Sequence, residues 1–283
     1  MEIVVDRART AVDLPAYFSR IGHRGGAAPT LANLQSIHAR HVDAIAFENL
    51  AAFLGEPVPL DLASLQAKLL VPGRGGWCFE HNLFLAAVLE AMGYEVRRLA
   101  ARVRWNVPAN VVTPRSHMLM RVRVAGEDFI ADTGFGGLTL SAALRLVPGA
   151  EQATPHEPHR LLEEGEGYAL QAKIAGEWAT MYVFDLHEHQ QADYEVSNWY
   201  LANNPRSQFV NGIIAARAAP GVRHALRNTR YSIHHADGRT ERRFLADASE
   251  FRAILREAFH VEVPASQLFE EKIARTIAAN PPA

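Results

Sequence analysis

The apolar residues of this chain change period at about Gly93, from every three or four positions before it to every two through the middle of the chain, and no single-class fold accommodates both patterns. In the first part, Asp13 caps Leu14, Tyr17, Phe18 and Ile21 ahead of a stop at Gly22. Thr30 opens a second stripe of Leu31, Leu34, Ile37 and His38, and Asp61 a third of Leu62, Leu65 and Leu69. A fourth runs from about Cys78 through Phe79, Asn82, Leu83, Ala86 and Leu89 to Gly93. These stripes predict a small helical bundle.

Beyond Gly93, segments 96–105, 117–126 and 127–135 read as strands, and 168–186 as a hairpin turning at Ala175 and Gly176. A helix is expected over 188–205, halted by Pro205, then short strands over 223–245 with a turn at Asp237 and Gly238. Asp247 and Glu250 form a capping pair ahead of Phe251, Ile254, Leu255 and Phe259, and a last helix follows Pro264. The stretch 148–166, rich in Pro, Glu, Gly and His, reads as an exposed loop. The fold class is therefore α+β, with the helical bundle over 1–95, a mainly β unit over 96–203 and a mixed tail over 204–283.

At 283 residues the chain exceeds the usual size of one core, which agrees with several packed modules. Apolar residues at 48% and charged ones at 21% place it among folded globular chains. With 29 basic and 31 acidic side chains, no overall field draws it to nucleic acid or an anionic membrane. The apolar run 83–89 is too short to span a bilayer, and the opening segment MEIVVDRART lacks a basic stretch followed by a long apolar one, so a soluble, unexported chain is expected. A lone cysteine forms no internal disulfide, so a reduced, cytoplasmic setting is expected.

That cysteine, Cys78, follows Gly73, Gly75 and Gly76 and stands at the start of a helix. The glycines permit a tight turn and close approach to sulfur, and the helix N-terminus favours a thiolate. A nucleophilic cysteine needs a base, and the base needs an orienting partner. His117 opens one strand and Asp132 ends the next, and a short turn around Gly126 makes those strands antiparallel neighbours. The three residues are thus candidates for nucleophile, base and orienting carboxylate, and a thiolate–imidazolium pair is expected to keep Cys78 ionised below its free-solution pKa. The plainer alternative is a buried cysteine acting as a small hydrophobe. A zinc reading of Cys78 with His81, or of the pairs His187 and His189 or His234 and His235, lacks further thiolates or a compact ligand set, so no metal is expected.

The segments RGGWCFEHN around Cys78, SHMLMRV around His117 and DTGFGG after Asp132, in that order, resemble the arylamine N-acetyltransferases. DLPAYFSRIG near the start, AFENL at 46–50 and NNPRSQF at 203–209 extend the resemblance over almost the whole chain. It implies a helical bundle, a central β-barrel and an α/β lid around a cysteine-protease-like Cys–His–Asp core, with the triad at the junction of the first two. It also implies a ping-pong reaction in which Cys78 takes an acetyl group from acetyl-CoA, a substrate rather than a resident cofactor. The acceptor is an aromatic amine, arylhydroxylamine or hydrazine, as in xenobiotic metabolism.

By the same resemblance, Phe47, Phe135 and Phe209 line the pocket beside Cys78, and Arg74 pairs with Glu48 beneath the glycine-rich loop. Gly126 is a candidate approach for the phosphates of CoA, and Arg223, Arg227 and Arg230 are basic residues that either meet them or form a solvated strand face. The rival readings are a relative that closes an amide bond within a biosynthetic intermediate, a thioester hydrolase, and a non-catalytic ligand-binding protein. The partners expected are small molecules only, and the sequence leaves a homo-oligomer open.

Overall fold

The structure, a computed structural model, describes residues 11–108, 110–263 and 265–281. The opening segment 1–10 and Pro264, both used above, lie outside the described residues. The N-terminal elements are α1 (Leu14–Ile21), α2 (Leu31–Ala44), β1 (Phe47–Glu48), α3 (Leu50–Leu54), α4 (Leu62–Leu69) and α5 (Cys78–Ala91). Asp13, Thr30 and Asp61 each accept a backbone N–H of the first turn, as their positions predicted, and Gly22 closes α1 in the left-handed region. Helix α5 is buried along most of its length and forms the axis of the bundle, with Phe79, Phe84 and Leu85 fully enclosed.

The next strands are β2 (Glu95–Val103), β3 (Arg115–Val124), β4 (Glu127–Ala131), β5 (Leu144–Arg145), β6 (His159–Glu164), β7 (Gly167–Ile174) and β8 (Glu177–Phe184). They form one sheet in the order β5-β4-β3-β2-β8-β7-β6. Its edges are joined by the segment 146–152: the Leu146 N–H donates to Asp128 and the Gly149 N–H to Leu161, so the sheet curls toward a barrel. Both tight turns use positive φ at two successive residues, Ala125 and Gly126 in one and Ala175 and Gly176 in the other. The expected loop over 148–166 is corrected here: residues 159–164 are strand β6, which pairs with β7 and buries Leu161. The apolar Leu162 beside Leu161 and the charged Glu163 on the Leu161 side break the alternation in the sequence.

After α6 (Gln191–Asn203) and α7 (Gln208–Asn211) come β9 (Ile214–Ala219), β10 (Val222–Arg227), β11 (Arg230–His235) and β12 (Thr240–Phe244). They form a second sheet in the order β1-β9-β10-β11-β12, so the two-residue strand Phe47–Glu48 fastens the helical part to the tail. Helices α8 (Ala248–Phe259) and α9 (Gln267–Ala279) cover one face of that sheet through Phe251, Leu255, Phe259 and Phe269. Among the described residues, no helix is long and apolar enough to cross a membrane.

Candidate active site

Cys78 is the first residue of α5 and is buried. The turn that delivers it is held from both sides. Glu80, three residues into the segment, accepts the Trp77 N–H at 3.0 Å, and the Trp77 indole donates to Asn198 Oδ1 at 2.9 Å. Upstream, Glu48 donates its N–H to Gly76 and Gly76 donates to Ala46, so the glycine-rich loop lies beside β1 as an added strand. A Cβ at Gly75 would stand 2.1 Å from the Ala46 oxygen, so that position accepts only glycine. Glu48 is fully buried, with Arg74 3.8 Å and Lys68 3.9 Å from the same carboxylate oxygen. The implied Arg74–Glu48 pair is therefore one arm of a cluster, in which the tighter contact is Lys68 to Glu80 at 2.7 Å.

The Cys78 sulfur lies against β3. Its thiol faces the Ser116 carbonyl at 3.8 Å, and the Met118 N–H points back at it, so the two residues flanking His117 both touch sulfur. His117 Nε2 is 2.7 Å from Asp132 Oδ2. Asp132 sits one residue beyond the end of β4, where pairing has stopped at Ala131 opposite Met120. Its Oδ2 also accepts the Tyr182 hydroxyl at 2.9 Å, and its Oδ1 accepts Asn82 Nδ2 and the Gly134 N–H, each at 2.9 Å. Burial alone would raise the Asp132 carboxyl, but His117, Asn82 and Gly134 together hold it below the ordinary carboxylate range. Tyr182 is pushed far up by burial and by that carboxylate, so it stays a phenol and donates.

Burial and the Asp132 carboxylate push the Cys78 thiol up, only partly opposed by the Phe79 and Met118 N–H groups. This corrects the expectation that the helix start leaves a thiol depressed by its surroundings. An enclosed sulfur this close to a carboxylate ionises only when a cation forms beside it.

A family model described as N-acetyltransferase matches residues 30–268. The chain is 42% identical over 257 residues to the arylamine N-acetyltransferase of Mycobacterium tuberculosis, covering 89% of this chain and 90% of that one. The chain belongs to the arylamine N-acetyltransferase family. It is also 39% identical over 248 residues to the arylamine N-acetyltransferase of Escherichia coli, covering 87% and 88%. Among solved structures it resembles the Mycobacterium marinum arylamine N-acetyltransferase in complex with CoA, at 37% identity and a TM-score of 0.90, over 93% of this chain and 99% of that one. The acyltransferase class and the α+β fold of this family follow directly.

In this arylamine N-acetyltransferase family member Phe135 packs on His117, Phe209 on Trp77 beside Cys78, and Phe47 stands next to Phe209. The Phe135 ring packs edge-on to the His117 ring at 5.2 Å. Phe209 stands edge-on to Trp77 at 5.2 Å and 6.5 Å from Phe47. Asn49 donates to the Phe209 and Gly212 carbonyls and accepts the Ile214 N–H, so the AFENL and NNPRSQF segments are tied directly together.

Gly126 is not brought to this site. It turns the β3–β4 hairpin at the far end, seven strand residues beyond His117 and so about 24 Å away at strand rise. The glycines that do approach are Gly134, whose Cβ would stand 2.6 Å from the Cys78 Cα, and Gly136, which faces the Phe47 ring. Arg223 is also accounted for: it is buried, bonded to Glu157 and to the Thr139 carbonyl. Arg227 and Arg230 instead line a shallow concavity with Ser232, His234 and Arg242. The sequence reading missed Tyr182, Lys68 and the hydrogen-bonding role of Asn82, because each acts across the fold with no local pattern to announce it. His81 is a core residue bonded to His41 and Ala46.

Proposed function

We propose that this chain moves an acetyl group from acetyl-CoA to the nitrogen of an aromatic amine, arylhydroxylamine or hydrazine through a thioester on Cys78. The observation that carries this reading is the His117–Asp132 contact of 2.7 Å set against a buried cysteine at a helix start. Because Nε2 donates to the carboxylate, the Nδ1 lone pair of His117 is the one left to take the Cys78 proton. The sulfur then attacks the donor carbonyl, the C–S bond to CoA breaks, and CoA leaves with the proton held by His117. In the second half the amine attacks the acetyl-cysteine, His117 takes the amine proton and returns it to sulfur, and the amide departs. Asp132 stabilises the imidazolium in both halves.

Phe47, Phe135 and Phe209 give the acceptor a flat apolar wall, which suits an arene. The β-sheet register supports a place for the donor's phosphates. Phe47, Ala216, Ala225, Ser232 and Arg242 are successive partners across the second sheet and so share one face. The Arg227, Arg230, His234 and Arg242 concavity therefore lies on the same face as Phe47, four strand spacings or about 19 Å across. The arm of CoA from sulfur to its first phosphate has about 13 bonds and spans roughly 16 Å extended, at the advance per bond of an extended chain. A lone unpaired thiol supports a cytoplasmic site of action. Initial rates with acetyl-CoA and 4-aminobenzoate or a similar arylamine test the reading: parallel double-reciprocal lines are expected, and intersecting lines overturn the thioester route.

A further inference from the structure

Between β3 and β4 the backbone ladder ends at the Met120–Ala131 pair, and the chain of β4 then peels away as Asp132, Thr133 and Gly134. A single side chain fills the gap. Asn82, fully buried one turn along α5 from Cys78, donates Nδ2 to the Met118 carbonyl at 2.6 Å and to Asp132 Oδ1 at 2.9 Å. Its Oδ1 accepts the Thr133 N–H at 2.9 Å and the Thr133 hydroxyl at 3.2 Å. The two donors and two lone pairs of the amide are all used. The Met118 and Thr133 bonds are those a next rung of the ladder would have made, so the amide stands in for a rung while holding the strands apart.

We propose that Asn82 is a positioning residue that sets the working geometry of the Cys78–His117–Asp132 group, by wedging β3 from β4 and aiming the Asp132 carboxylate at His117. This rests on the proposed roles of those three residues. The four bonds tie the helix bearing Cys78 to the strand bearing His117 and the loop bearing Asp132, with no part of Asn82 needed for substrate. Aspartate is the discriminating replacement. It keeps the shape and one acceptor but turns both donors into a charged oxygen facing Asp132 Oδ1 and the Met118 carbonyl, which repels the carboxylate from its place. Alanine removes the wedge with no helix penalty.

The test is the rate of Cys78 alkylation by iodoacetamide against pH in wild type, Asn82→Asp and Asn82→Ala, with thermal melting and circular dichroism as fold controls. This readout needs no acyl donor, so its failure is separable from failure of the acetyl-transfer reading. In folded variants the alkylation rate near neutral pH is expected to fall by about 100-fold, the usual cost of displacing reacting groups by an ångström. The acidic limb of the profile is expected to move to higher pH, a shift that loss of packing alone does not produce. Folded variants with a wild-type profile and a rate within about threefold would overturn the proposal. Should both variants fail to fold, Thr133→Val carries the test, since it is isosteric and removes only the hydroxyl bond to Asn82 Oδ1. A profile displaced in the same direction supports the wedge, and an unchanged profile overturns it.

Discussion

His117 Nε2 and Asp132 Oδ2 stand 2.7 Å apart, with His117 3% exposed and Asp132 0%. Water does not compete for this contact, and the carboxylate's remaining lone pairs are taken by Tyr182, Asn82 and Gly134. The arrangement fixes the imidazole tautomer before any substrate arrives.

Replacing Asp132 by Asn keeps the shape but lets the amide select the wrong imidazole tautomer. Acylation of Cys78 by p-nitrophenyl acetate should then fall by about four orders of magnitude, the scale seen when a triad carboxylate is made an amide. Stopped-flow release of p-nitrophenol checks this, and a loss below tenfold in a folded variant contradicts the assigned role.

Lys68 lies between two buried carboxylates, 2.7 Å from Glu80 and 3.9 Å from Glu48. Burial alone would lower its pKa, but the two carboxylates hold it above the ordinary lysine value. Lys68→Met takes from Glu80 its 2.7 Å cation and leaves Glu48 with the partly exposed Arg74, so a loss of about 3 kcal/mol in unfolding free energy is expected. Urea denaturation measures it.

Three histidines, His38, His81 and His159, are closed to water, and burial holds each down to about 4. Below pH 6.5 the unfolded chain takes up protons that the folded chain refuses until about pH 4. The unfolded state then binds more protons, so stability falls as pH drops through that window, by up to about 4 kcal/mol per pH unit for three such groups. Thermal midpoints between pH 7 and pH 4 should decline steeply, and a flat profile contradicts the neutral, buried state of these rings.

The concavity of Arg227, Arg230, His234 and Arg242 gives a donor-specific prediction. Arg230→Glu and Arg242→Glu should each raise the KM for acetyl-CoA about tenfold, the weight of a lost charge-assisted contact. Turnover with p-nitrophenyl acetate, which carries no phosphate, should be unchanged. Equal effects on both donors would remove this face from the donor site.

Much of this was legible in the sequence because it was local. The caps at Asp13, Thr30 and Asp61 and the turn at Ala175 and Gly176 depend on neighbours within a few positions, and they appear where expected. Strand β1 was not legible, since two residues carry no period and Phe47 and Glu48 become a strand only by pairing with Ala216 and Ala215. Cys78, His117 and Asp132 could be picked out by residue type and position at element ends. Asn82 could only be placed on a helix face, because its partners lie 36 to 51 positions away. Gly126 is the converse case: a turn glycine is recognisable locally, but the end of the hairpin it occupies, away from His117, is set by the whole sheet.

The most direct test mixes the pure protein with acetyl-CoA alone, counts CoA released in the first turnover, and locates any added acetyl group by mass spectrometry. One CoA per chain, acetyl on Cys78, and its transfer to an added aromatic amine are the predicted results. No release and no adduct on Cys78, or release only once the amine is present, would contradict the thioester mechanism.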